Sequence, residues 1–126
     1  MYTVLLLLFS LIMPILLIVF GAVLSDREVP RQSAFGYRTH MAMLNDDTWE
    51  FANKLFGKKV FRLGVIEIII CVLMILYCTF IREPESPAAA LLVTEMFELF
   101  AFIYPCAGTE EALRLTFDRN GKRKHL

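Results

Sequence analysis

"VFRLGVIEIIICVLMILYCTFI", residues Val60 to Ile81, is apolar except for Arg62 and Glu67, and it is bracketed by Lys58 and Lys59 before and Arg82 after. A bilayer core about 30 Å thick demands roughly 20 predominantly apolar residues from a helix that crosses it. The stretch therefore reads as a membrane span. Two further runs have the same character. Tyr2 to Leu24 carries no charge and would reach about 34 Å as a helix. It has no basic leading segment, its apolar core is too long for a signal peptide, and no small-residue cleavage site follows, so it reads as a retained span. Ala88 to Ala107 is less oily because it holds Glu95 and Glu98, but its length fits a third span.

These runs account for an apolar share of 57% in 126 residues, above that of an ordinary soluble domain. The expected fold is all-α and integral to the membrane. A single membrane domain covers residues 1–126, with spans at 2–24, 60–81 and 88–107, a loop at 25–59 and a tail at 108–126. Formal net charge is zero, but the loop holds Arg27, Arg31, Arg38, Lys54, Lys58 and Lys59, and the tail holds Arg114, Arg119, Lys122, Arg123 and Lys124. The positive-inside rule then puts the N-terminus outside and the loop and C-terminal tail in the cytoplasm.

Several classes of chemistry find no support. Cys71, Cys78 and Cys106 lie inside apolar runs and read as packing residues, with no disulfide framework or metal-binding spacing. Phosphate-binding and dinucleotide-binding loops are absent, as are internal repeats. The basic tail suits anionic membrane lipids rather than nucleic acid. His40 and His125 read as solvated, and no nucleophile pairs with a base, so neither an enzyme nor a cofactor is expected. Glu95, Glu98, Glu67 and His40 together make at most a weak metal-ligand set.

The loop is more than a linker. Trp49, Ala52, Leu55 and Phe56 recur at helical spacing. Asp47 with Glu50 fits a capping box, and Gly57 ahead of two lysines fits a helix stop. These signals predict a short amphipathic helix between the first two spans, either flat at the membrane interface or packed on the spans as a lid. A second short helix is predicted in the cytoplasmic tail near Glu110 to Phe117. Upstream, Phe35 to Thr39 contains Gly36, which permits a sharp turn. It also contains Arg38, whose planar fork suits a carboxylate or phosphate.

Glu67, Glu95 and Glu98 are the residues that ordinary membrane packing does not explain, because an ionisable group inside a span is costly and usually faces the bundle interior. Gly64, Glu67, Cys71, Met74 and Cys78 share one stripe of the second span, and Leu91, Thr94, Glu98, Ala101 and Pro105 share one stripe of the third. Taking Val60 and Cys106 as inner ends, Glu67 and Glu98 lie about 10 and 12 Å deep. Protonated side chains holding the bundle together, or a polar site that Arg38, His40 or Arg62 reaches, are the two readings of this level.

The loop "GYRTHMAMLNDDTWEFANKLFGK" resembles the signature of the SdpI family of bacterial membrane proteins, through Gly36, Tyr37, Arg38, Thr39, Trp49, Ala52 and Asn53. The tail "TEEALRLTFDRNGKRK" is more loosely similar to the C-termini of small members. The resemblance implies a membrane immunity factor against a secreted killing peptide. It also implies a possible role in signalling through a cytoplasmic regulator, with Gly36, Tyr37, Arg38, Thr39, Trp49 and Asn53 as the contact surface. The alternative from the residues themselves is a proton-coupled transporter, assembled as a homo-oligomer, that works through Glu67, Glu95 and Glu98.

Overall fold

The computed structural model describes residues 2–26, 30 and 36–124. Arg27, Arg31, Phe35 and His125, used above, lie outside the described residues. Helix α1 (Tyr2–Leu8) passes through a 3-10 turn at Phe9–Leu11 into α2 (Ile12–Asp26). Then come α3 (Asp46–Phe80), α4 (Pro87–Ala101) and α5 (Ile103–Thr116). Three helical stretches, Thr3–Asp26, Asp46–Phe80 and Pro87–Thr116, are long and apolar enough to cross a membrane. Their outer faces present Leu5, Leu16, Ile66, Leu73, Val93 and Phe100 in exposed positions, as lipid-facing surfaces do.

The expected short helix is not separate. Residues 46–59 run unbroken into the second span, giving one helix of 35 residues, about 52 Å long. Gly57 does not stop the helix because it lies at a helix crossing. A Cβ there would come within 2.7 Å of Leu24 Cβ and of the Ser25 nitrogen. Gly21 and Gly64 meet the opposite helix equally closely, at the Phe61 nitrogen and the Pro14 carbonyl. Small residues let α2 and α3 approach backbone to backbone, which is how membrane helices gain packing without a hydrophobic drive between them.

The helix start also differs from the expected Asp47–Glu50 pair. Asn45 is the cap: its Oδ1 accepts from the Thr48 N–H at 2.9 Å, and its own N–H donates to Thr48 Oγ1 at 3.0 Å. Asp46 and Asp47 fall in the first turn, where carboxylates favour the positive end of the helix dipole. Asp47 is bound instead to Arg123 of the tail, at 2.9 and 2.8 Å.

The third apolar stretch and the expected tail helix are nearly one element, interrupted only at Phe102. Pro105 has no N–H to offer the Ala101 carbonyl, which accounts for the break. After Thr116 the chain turns back through Asn120 and Gly121, and Phe117 pairs with Arg123 in an antiparallel bridge. Asp118 Oδ1 accepts from the Asn120 and Lys122 N–H groups at 2.8 and 3.0 Å, which holds its carboxyl below the usual range.

The buried core joins α2, α3, the loop and α5 through Leu17, Leu24, Ala52, Phe56, Val60 and Leu113. Phe56 is its hub. It meets Tyr37 at 4.7 Å between ring centroids, Phe102 edge-on at 5.9 Å and Phe20 edge-on at 6.4 Å.

Candidate functional site

Two polar assemblies hang on α3, one near its start and one farther along. The first is the loop. Gly36 has φ +122°, and a Cβ there would stand 2.6 Å from Asn53 Oδ1 and 3.3 Å from the Trp49 ring. Only glycine lets the chain lie down on α3 at this point. Asn53 then grips the next residue: its Oδ1 accepts from the Tyr37 N–H at 2.7 Å, and its Nδ2 donates to the Tyr37 carbonyl at 3.3 Å and the Trp49 carbonyl at 3.0 Å. The side-chain amide serves Tyr37 as a neighbouring strand would serve it.

Tyr37 carries the connection onward, because its hydroxyl donates to the Cys106 carbonyl of α5 at 3.2 Å. Burial, with the Glu110 carboxylate nearby, pushes its phenol up to about 12. Thr39 Oγ1 donates to Glu110 Oε2 at 3.4 Å and accepts from the Ala42 N–H at 3.3 Å. Tyr37, Trp49 and Asn53 are buried, Gly36 and Thr39 are half-buried, and Arg38 is exposed. The Arg38 guanidinium lies 5.8 Å from the Trp49 ring centroid, within cation–π range. The expected loop residues are thus brought together, but chiefly as a clamp between α3 and α5, with Arg38 alone of the six exposed.

The second assembly lies within the spans. Glu67 and Glu98, each 2% exposed, line one cavity of about 260 Å³ with Cys71, Thr94, Met74 and apolar neighbours. Cys71 Sγ stands 3.1 Å from Glu98 Oε1 and 3.9 Å from the Ser10 carbonyl oxygen. That carbonyl is available because Pro14, four residues on, has no N–H with which to close the helical bond. Among the described residues, both Glu67 oxygens and Glu98 Oε2 have no hydrogen-bond partner. Thr94 donates to the Ala90 carbonyl at 2.9 Å and stands 3.3 Å from Met74 Sδ.

Other expected members stand elsewhere. Glu95 is half-buried and not part of the cavity lining. Arg38 rests on Trp49, Arg62 is exposed, and His40 lines a basic surface cleft with Arg114, Arg119 and Lys124. The spacing placed His40 and the arginines within conceivable reach of the carboxylates because the loop's path was unknown. The clamp holds the loop near the start of α3 instead, at Trp49 and Asn53. Sequence reasoning gave Cys71 only a packing role. Its place on the Glu67 stripe, facing a span with a mid-helix proline, was the available signal.

The SdpI/YfhL protein family model matches residues 28–107, well over half of the chain. The chain belongs to the SdpI/YfhL family. The SdpI/YfhL match takes in the loop, all of α3 and all of α4, so the clamp from Gly36 to Asn53 and the cavity at Glu67 and Glu98 both fall within the family segment. No curated protein and no solved structure matches the chain.

Proposed function

We propose that this member of the SdpI/YfhL family is a non-enzymatic immunity or resistance factor, protecting its cell from a membrane-active killing peptide. The observation that carries the reading is the family match over a loop built as a fixed platform: Asn53 and Tyr37 hold the turn, while Arg38 stands exposed over Trp49. A fixed cation on an aromatic base is a preorganised contact for a carboxylate or phosphate. The basic loop and tail support a cytoplasmic position for this surface, with the N-terminus outside, by the positive-inside rule, and a cytoplasmic regulator would meet it there. The test is survival of sensitive bacteria expressing the chain during exposure to a secreted membrane-active peptide. Protection by the parent, lost in Arg38→Ala at equal membrane content, is the expected result. Equal protection by Arg38→Ala would remove the loop from the mechanism, and no protection by the parent would defeat the reading.

One observation favours a second reading. Buried carboxyl oxygens without partners inside a span suit proton-coupled transport, and three spans form a pathway only if protomers associate. Substrate-dependent proton flux in liposomes, absent in Glu98→Gln, would establish it.

A further inference from the structure

The cavity between α3 and α4 has a composition that specifies a ligand. Its polar end consists of two carboxyl groups, and three of their four oxygens lack partners. Its walls include Ile70, Val93 and Phe97, all exposed on the outer face of the spans. Among the described residues, no Lys, Arg or His lines it. Helix α4 lies close to α1 and meets α3 through the side-chain contacts of Glu98 with Cys71 and Thr94 with Met74, and the exposed walls between α3 and α4 open the cleft sideways toward lipid.

We propose that this cleft binds a small lipophilic primary amine as its ammonium ion, entering from the bilayer, in exchange for a proton. Two carboxylates without a cation cannot both be charged in an apolar wall, so without an amine at least one of them keeps its proton. An ammonium group supplies three N–H donors to an equal number of open oxygens, Glu67 Oε1, Glu67 Oε2 and Glu98 Oε2. As it enters, one carboxyl proton leaves to water and the site's net charge is unchanged. Glu67 and Glu98 are the titrating groups of the lining, with the Cys71 thiol between Glu98 and Ser10 and Glu95 half-buried on the same helix as Glu98. The body of the ligand rests on Ile70, Val93 and Phe97. The inference concerns binding alone, and it holds whether or not the chain confers immunity or transports anything.

The test is calorimetric titration of the full chain in lipid nanodiscs with phenethylammonium, and with 2-phenylethanol as its uncharged counterpart. Between roughly pH 6 and pH 8 an aliphatic amine stays fully protonated, so any pH dependence belongs to the protein. Saturable amine binding is expected, with an affinity that rises with pH, by up to about tenfold per unit while the displaced carboxyl proton is still in place. Buffers of different ionisation enthalpy count that proton directly. Glu67→Gln and Glu98→Gln keep the shape of each side chain and are each expected to weaken binding at least about tenfold, the loss of one charge-assisted contact. Circular dichroism establishes that both variants remain helical. Equal binding of the alcohol, amine binding indifferent to pH or to both substitutions, or no amine binding by a folded parent would each overturn the proposal. The last outcome counts in the same way if a second copy of the chain fills the cleft. Because the readout is heat rather than survival, its failure leaves the immunity reading standing, and the converse is equally true.

Discussion

The loop clamp and the intramembrane cavity sit on the same helix and handle buried polar groups in opposite ways. Around Tyr37, the amide of Asn53 meets the backbone N–H and carbonyl together, and the hydroxyls of Thr39 and Thr48 each give and receive. Around Glu67, farther along, two oxygens meet nothing. A buried hydrogen-bonding group left unpaired costs about 1–3 kcal/mol, so a fold tolerates one where something outside the fold completes it. The difference separates side chains whose polar atoms are paired within the fold from side chains whose polar atoms are not.

That division is open to attack by substitution. The largest expected effect is on neither assembly but on the helix crossing both depend on. Gly57→Leu forces a side chain where even a Cβ stands 2.7 Å from Leu24, and should lower stability in detergent by about 3 kcal/mol or more. A thermal midpoint within error of the parent would mean that α2 and α3 do not meet this closely. Asn53→Ala comes next. Leaving the Tyr37 N–H and carbonyl unpaired should cost about 2–6 kcal/mol, at 1–3 for each group, and limited proteolysis should then cut between residues 36 and 45. A variant as resistant as the parent would show that the amide is dispensable.

The contrasting expectation concerns the carboxyls. Glu67→Gln should shift stability by less than about 1 kcal/mol, because the oxygens it replaces make no hydrogen bond to lose. A shift as large as that of Asn53→Ala would make the carboxyls structural and erase the distinction. The smallest effect belongs to the exposed pair of Asp47 and Arg123, which solvent screens. Its hydrogen bond to Arg123 holds the Asp47 carboxyl below its ordinary value of 3.8. The contribution is therefore present above that value and lost as pH falls through the lowered one. Protection of the Phe117 and Lys124 amides, measured against their intrinsic exchange rates at each pH, should fall only under that acid condition; equally low protection at neutral pH in the parent would show that the pair does not fasten the tail.

Much of this was readable from residue order, and the misses have physical causes. Three spans follow from apolar length alone, and the stripe of Gly64, Glu67 and Cys71 follows from helical spacing. The join between the loop helix and the second span was not readable, because Gly57 carries the same letter whether it ends a helix or lets two helices touch. Only the neighbour across the seam, Leu24 with Ser25, decides between them. The cap was missed because Asp47 and Asn45 are both good N-cap residues, and the competition is settled by Arg123, 76 positions away. For the site, the grouping of Gly36, Tyr37, Trp49 and Asn53 was legible through a resemblance. That they face inward depended on where the loop lies, which no local pattern encodes.

The unbroken run of α3 has a mechanical meaning. Asn53 and Glu67 are fourteen positions apart on one rod, about 21 Å along its axis, with no hinge between them. A tilt of about 10° pivoting at the level of Glu67 would swing the Asn53 end sideways by roughly 4 Å at that lever arm. Whatever enters beside the carboxyls and moves the rod there displaces Arg38 and Trp49 at the other end, without any signal passing from one side chain to the next.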